Sequence, residues 1–386
     1  MLDKNDGVRR GPFGSSLKKE IFVENSDYVV YEQQNAIYDN YKTRYNISKE
    51  KFDELHKFSL KENDFIMSGA GTIGRISRVP KGIKPGVFNQ ALIRFRINSE
   101  LTDPKYFLQF IRAENMQRKL TGANPGSAIT NLVPMTEVKN WEIFVPAKAE
   151  QIKIGDFFKN LDNTIALHQQ KKRQIRSLKQ GFIKNLFPNN KNSAPRIRFS
   201  IFNDDWNQRN ASEIFTSVSD KNYPELPVLS ASQEKGMVLR ESNGIDIKYD
   251  QKSTGTYKRV LPGQFVMHLR SFQGGFAYST IEGITSPAYT ILAFRNKEDH
   301  YPLFWKSIFS SKNFIKRLEA ITYGIRDGRS ISYADFSTLR FWIPSYEEQK
   351  QIGDFIESID ATIAFYQRQI DMMQSLKKEL LNKMFI

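Results

Sequence analysis

PAKAEQIKIGDFFKNLDNTIALHQQKKRQIRSLKQGFIKNLF, residues 146–187, returns without a gap 198 positions later as PSYEEQKQIGDFIESIDATIAFYQRQIDMMQSLKKELLNKMF, residues 344–385. About 16 of 42 aligned positions are identical, among them Pro146/Pro344, Glu150/Glu348, Gln151/Gln349, Gly155/Gly353, Asp156/Asp354, Asp162/Asp360 and Leu178/Leu376. A chain that carries the same long element twice presents two similar surfaces, so a two-part ligand is the expectation.

Each copy reads as one long helix. In the second, Ile352, Ile356, Ile359, Ile363, Tyr366, Ile370, Met373, Lys377, Leu380 and Met384 fall at alternating steps of four and three, the spacing of a coiled-coil seam. The same positions in the first copy are Ile154, Phe158, Leu161, Ile165, His168, Lys172, Ile175, Lys179, Phe182 and Leu186. Ser345 and Glu348 predict a capping box at the start of the second helix, and Pro188 with Pro195 stops the first. A helix of roughly 38 residues runs about 57 Å, longer than a small domain is wide, so a helical partner is expected for the seam.

The flanking segments repeat more weakly. Pro104 and Pro302 each open an aromatic run at a first helical position, and Phe65-Ile66-Met67 matches the strand-like Phe265-Val266-Met267. Ala91-Leu92-Ile93 resembles Tyr289-Thr290-Ile291 in pattern. The organisation expected is a mixed α/β domain over 1–145, a long helix over 146–190, a second α/β domain over 191–343 and a second helix over 344–386.

The chain has 386 residues, no cysteine and a formal charge of +15. Without cysteine there are no disulfides and no thiolate metal sites. No apolar run approaches the length of a membrane span, and the first residues, MLDKNDGVRR, carry no signal-like apolar stretch, so a soluble cytoplasmic protein is expected. The charge divides as +5, +6, +6 and −2 over the four segments. Excess positive charge points to a polyanionic partner, and the opposite signs of the two helices favour their pairing with each other.

Gly69-Ala70-Gly71-Thr72-Ile73-Gly74 is a literal G-x-G-x-x-G. A dinucleotide site needs a helix to begin there and an acid about 20 residues on. Pro80, Gly82 and Pro85 follow instead, and Asn89–Arg96 holds no acid, so a glycine hairpin is expected. No G-x-x-x-x-G-K-[ST] loop occurs, and His56, His168, His268 and His300 are scattered without metal-binding spacing. No metal or catalytic constellation is expected in this chain. Cations do cluster with glycines: Arg9, Arg10, Lys18 and Lys19 around GPFGSS, Arg75 after Ser68, Gly69 and Gly71, and Arg270, Gln273, Arg326 and Arg329 in the second half. Backbone N–H groups in such loops meet phosphate, and Arg and Gln read base edges.

Taken together, these residues resemble the specificity subunits of type I restriction-modification systems. The marks are the P-x-x-x-E-Q entries, I-G-D-F and D-x-T-I-A in both copies, GPFGSSLKKE, VYEQQNAIYDN, SGAGTIGRI, FNQALIRF, SFQGGFAYS, EGITSPAYT and YGIRDGRSISY, which span almost the whole chain. The resemblance implies an α+β fold of two target recognition domains and two helices in an antiparallel intramolecular coiled coil with pseudo-two-fold symmetry. It implies double-stranded DNA with a bipartite target as ligand, the coil setting the unread spacer. Partners would be two modification (methyltransferase) subunits and restriction subunits. S-adenosylmethionine, ATP and Mg would be used by those partners, and this chain would be non-catalytic and bind no cofactor. Pro195-Arg196-Ile197-Arg198-Phe199 with Asp205-Trp206 resembles the start of a recognition domain, and the first half has no equivalent, so its domain is expected to lack an N-terminal segment. The alternatives are a stand-alone DNA- or RNA-binding coiled-coil scaffold and a nucleotide-dependent enzyme using the Gly69–Gly74 loop.

Overall fold

The computed structural model describes residues 1–121, 133–188, 193–232, 235–243, 251–268, 271–321 and 331–385. The fold is mixed α+β. The chain divides into two compact units, Met1–Gln169 with Arg368–Ile386, and Gln170–Gln367. Two helices of 39 residues, Lys148–Leu186 and Tyr346–Met384, each contribute to both.

Unit 1 is built on a four-stranded antiparallel sheet. Val8–Arg10 lies on Leu92–Phe95, which pairs with Phe65–Ser68 and through it with Ile76–Arg78. A second sheet contains Phe22–Val23, Tyr45–Ile47, Tyr28–Tyr31 and, parallel to the last, Gly86–Phe88. The central strands, FIMS and LIRF, are buried on both faces and are apolar but for Ser68 and Arg94. Helix Pro104–Arg112 covers the first sheet, with Phe107 against Phe65 at 4.8 Å between ring centroids. Pro104 stands at its start as expected, and Asp103 caps it, accepting from the Lys105 and Tyr106 amides at 2.9 Å.

In unit 2 the main sheet repeats that plan. Phe215–Val218 pairs with Thr290–Phe294, then Phe265–Met267 and Ala277–Tyr278, the same order with the same antiparallel sense. Helix Pro302–Phe309 corresponds to Pro104–Arg112, and its Trp305 is fully buried against Phe215. Among its described residues the unit also has three two-stranded ladders, one of them Asn207–Asn210 on Arg340–Ile343.

What joins each long helix to its globular part is a set of residues identical in the two copies. Gln151 is buried, its Oε1 accepting from the Asp103 amide at 3.0 Å and its Nε2 donating to the Leu101 and Pro146 carbonyls at 3.2 and 2.9 Å. Gln349 repeats this with the Tyr301 amide and the Asp299 and Pro344 carbonyls. One turn on, Gly155 lies so close to the start of helix Pro104–Arg112 that a Cβ would sit 2.7 Å from the Tyr106 amide nitrogen, and a Cβ on Gly353 would sit 2.8 Å from that of Phe304.

Within each unit the two helical segments run antiparallel. In unit 2, Lys172 donates to Gln367, Lys179 bonds both oxygens of Asp360 at 2.6 Å, and Phe182 meets Phe355 edge-on at 5.0 Å. In unit 1, Lys377 bonds Asp162 at 2.6 Å and Phe158 packs against Phe385. Lys179/Lys377 and Asp162/Asp360 are repeat equivalents, so the same ion pair occurs once in each unit. Along the seam Phe158, Ile165, Ile352, Ile356 and Ile370 are buried, and Ile154, Leu161, Ile175, Ile359, Ile363, Met373 and Leu380 are half-buried. Met384 is exposed.

The two lysines on the seam of the first copy are half-buried, Lys172 with Gln367 and Lys179 on Asp360, while Lys171, Arg173 and Arg176 are exposed. One expectation needs correction. The capping box is half formed. Ser345 accepts from the Glu348 amide at 3.4 Å, but the Glu348 carboxylate is turned to Arg198, which it binds through both oxygens at 2.8 Å. A guanidinium fork offers a carboxylate two charge-assisted bonds, more than one backbone N–H can.

Gly353→Ala should be destabilising although alanine is the better helix former by about 1 kcal/mol, since the forced gap costs about 1–3 kcal/mol. Thermal denaturation reads the balance: a lower midpoint is expected, and a raised one would mean the two helices have room to part.

Candidate nucleic-acid interface

In unit 1 three loops hang from one turn. Gly11 donates to the Leu92 carbonyl at 3.0 Å, Gly69 to that of Ala91 at 2.7 Å, and the Asn89 amide to that of Tyr31 at 2.9 Å. Residues 89–92 therefore hold together the Arg10–Lys19 loop, the Gly69–Gly74 loop and the entry to helix Gln33–Tyr38. Gly11 is required there, because a Cβ would lie 1.9 Å from the Asn89 carbonyl oxygen.

The Gly69–Gly74 loop joins two antiparallel strands, Phe65–Ser68 and Ile76–Arg78, and is the expected hairpin. No helix begins at the glycines, so no helix N-terminus faces a pyrophosphate, and the dinucleotide reading fails on geometry. Gly71 and Gly74 adopt φ of +62° and +82°, which the missing side chain permits. Gln117 clamps the far side, donating to the Gly74 carbonyl at 3.2 Å.

The expected contact residues separate on inspection of their partners. Arg10, Lys18, Lys19 and Arg75 are exposed and make no ion pair among the described residues. Arg9 does: it donates to Asp6 at 2.8 Å, in a cluster where Arg94 and Arg96 also bind Asp6 and Arg96 binds Asp64. Burial pushes the Asp6 carboxyl upward, but the bonds and charges of Arg9 and Arg94 outweigh it and hold the carboxyl below its usual range. Arg9 thus completes a structural cluster instead of standing free. Ser68 and Gly69 are buried, not at the surface. Ser68 Oγ donates to the Thr72 carbonyl and accepts from the Arg75 amide at 3.0 Å, so it shapes the hairpin while Gly71 and Arg75 are presented.

In unit 2 the strand Phe265–Met267 is followed by a short helix, Ser271–Gly274, in place of a glycine hairpin, and Gln273 on it is exposed. Arg270, Arg326 and Arg329 lie outside the described residues. One residue the sequence reading passed over is Phe13, 89% exposed between Arg10 and Lys18. An apolar ring so exposed among cations was signalled by its place in GPFGSS between glycines.

Among the described residues, no His, Asp or Glu group could hold a metal, and no helix is long and apolar enough to cross a membrane. Ser68→Ala is expected to lower stability by about 1–3 kcal/mol by leaving the Arg75 amide unpaired. Urea unfolding of the variant measures this, and an unchanged midpoint would return Ser68 to the surface set.

Comparison with known proteins bears on the same region. No protein of curated function matches the sequence. Two solved structures share the fold: the type I restriction-modification system S subunit from M. genitalium, at a TM-score of 0.56 and 15% identity, and a chain from a structure on complex assembly and conformational transition of the type I R-M system, at 0.56 and 14%. In each case 100% of this chain and 98% of the other are covered. Residues 13–177, which contain the Lys18–Lys19 loop, the hairpin and the first part of helix Lys148–Leu186, match the type I restriction modification DNA specificity domain. Over that stretch the chain is similar to the type I restriction modification DNA specificity domain.

Proposed function

We propose that the chain is a non-catalytic specificity subunit that reads a bipartite, gapped DNA target, one half-site per unit. The carrying observation is the exposed cationic edge of unit 1, Arg10, Lys18, Lys19 and Arg75, the last three inside the stretch matched by the specificity domain. Unit 2 would read its half-site with Gln273 and with Arg270, Arg326 and Arg329. The repetition of the sheet plan supports two readers, and the different elements after Ser68 and Met267 support unequal half-sites.

The two long helices then form an antiparallel, pseudo-two-fold coiled coil that sets the spacer and docks two modification subunits. Reciprocal Lys377–Asp162 and Lys179–Asp360 pairs support it. S-adenosylmethionine, ATP and Mg serve the modification and restriction subunits, and base flipping belongs to the modification subunit.

Two measurements test this reading. Arg10→Ala or Lys18→Ala should weaken duplex binding across all sequences and reduce the salt slope of log affinity by about 1 each. An unchanged slope would remove that residue from the phosphate-binding set. Whole-genome methylation mapping in cells carrying this chain and its modification subunit should give one gapped asymmetric motif, and no motif at all would overturn the proposal.

A further inference from the structure

Phe13 is 89% exposed in the Arg10–Lys19 loop of unit 1, on a backbone that is fixed on both sides of it. Before the ring, the Gly11 amide is bonded to the Leu92 carbonyl at 3.0 Å and Pro12 is buried. After it, the Ser16 amide closes a tight turn on the Phe13 carbonyl at 2.9 Å, and Leu17 is buried among Val30, Ile47, Leu55 and Val87. The loop leaves the sheet at the Leu92 end of strand Leu92–Phe95. The N-terminal residues lie at the other end, Leu2 bridging Ile97 and the Asp3 amide donating to the Arg96 carbonyl at 2.9 Å. A phenylalanine held out in water forgoes the burial that normally places it in a core.

Its neighbours indicate what covers it. From Arg9 to Lys19 the chain reads RRGPFGSSLKK, with no acid. Arg9 is taken up by Asp6, and Arg10, Lys18 and Lys19 stand exposed on either side of the ring. An apolar protein surface closing on Phe13 would have to desolvate those three charges with it. Duplex DNA offers both chemistries side by side, phosphates along the groove for the cations and stacked base faces for the ring. In unit 2 the strand Phe215–Val218 holds the place of Val8–Arg10 in the sheet order, and the loop after it also carries an aromatic, Tyr223. Tyr223 is half-buried, its ring centroid 4.5 Å from the Arg259 guanidinium, and Asp220 and Glu225 share its loop.

We propose that Phe13 is a wedge: its ring enters between two adjacent base pairs of the half-site read by unit 1, unstacks them and kinks the duplex, while Arg10, Lys18 and Lys19 hold the flanking phosphates. This rests on the reading of the chain as a DNA-binding specificity subunit and adds how one half-site is deformed. Wedges of this kind act through the minor groove and kink DNA by about 20–90°. The fixed backbone is what lets the ring part a stack, since on a loose loop it would be pushed aside. Base steps differ in how easily they open, pyrimidine–purine steps most easily, so the ring selects sequence at a position that no hydrogen bond reads. Tyr223, covered by Arg259, leaves the other half-site stacked.

The test uses the full chain with its modification subunit, on a duplex carrying the gapped motif found by methylation mapping. 2-Aminopurine, which brightens when unstacked, is placed in turn at each position of both half-sites except the methylated adenines, whose flipping would brighten it for another reason. Binding should brighten the probe at one step of one half-site in a manner that depends on Phe13, and energy transfer between end-labelled dyes should report a bent duplex. Phe13→Ala should abolish that brightening, reduce the bend and weaken binding about tenfold, the worth of one aromatic stacked on a base. Its salt slope should stay unchanged, because no phosphate contact is lost. Phe13→Leu, a smaller apolar wedge, should keep part of each signal. A bound duplex with no probe position that responds to Phe13→Ala would overturn the wedge and leave the DNA-binding reading standing. A Phe13→Ala chain that loses its modification subunit would mark the ring as a protein contact and overturn the wedge as well. Failure of the unaltered complex to bind the duplex would overturn the wedge together with the reading it rests on. Phe13 is exposed, so both replacements leave the fold intact.

Discussion

A buried glutamine at the entry of each long helix is the constraint on which the rest depends. Gln151 and Gln349 each accept from one backbone amide and donate to two backbone carbonyls at the junction with the globular part. Leaving such a group unpaired where it is buried costs about 1–3 kcal/mol. Glutamate could not substitute, since a carboxylate accepts but does not donate to the two carbonyls. With the glutamine in place the helix axis is fixed relative to the aromatic helix beside it, and Gly155 and Gly353 become obligatory one turn later. The repeat is thus conserved within the chain at the positions where backbone must meet backbone.

Charge operates on a finer scale than segment totals. The helices carry +6 and −2, and that difference alone favours attraction. The pairs that form are local and reciprocal, Lys377 with Asp162 and Lys179 with Asp360, and they draw on residues present in both copies. Half-buried lysines with one aligned carboxylate set register more than they add stability, because partial desolvation offsets much of the Coulomb gain. A duplicated Asp and a duplicated Lys suffice to make two such pairs only when the segments run antiparallel.

Much of this was legible in the sequence, and the failures have physical reasons. The long helices, the prolines that open the aromatic helices and the hairpin at Gly69–Gly74 follow from periodicity and backbone chemistry, which are local. Ser68, Gly69 and Arg9 were misplaced because a small residue or a cation in a glycine-rich loop has the same local appearance whether it faces solvent or a partner. Asp6, three residues from Arg9, was visible, but its sharing with Arg94 and Arg96 depends on the pairing of Val8–Arg10 with Leu92–Phe95. Glu348 was assigned to its own helix terminus because Arg198, 150 positions away, cannot be weighed against a neighbour three positions away without the fold.

The same long-range pairing separates stability from recognition in unit 1. Arg94 is almost wholly buried, and Arg96, Arg9, Asp6 and Asp64 close round it, so five charges there are spent within the protein. Positive charge left for a ligand is what that cluster does not use: Arg10 at the end of its strand, Lys18 and Lys19 on the loop beyond, and Arg75 on the hairpin that Ser68 and Gln117 hold in shape. Alternate residues on one strand therefore have opposite assignments, Arg9 toward the cluster and Arg10 away from it, as the two-residue period of a strand requires. The cations on such an edge can change without disturbing the core, since none of them is tied into the packing beneath, whereas Gly11 and the buried Leu17 hold the loop itself in place.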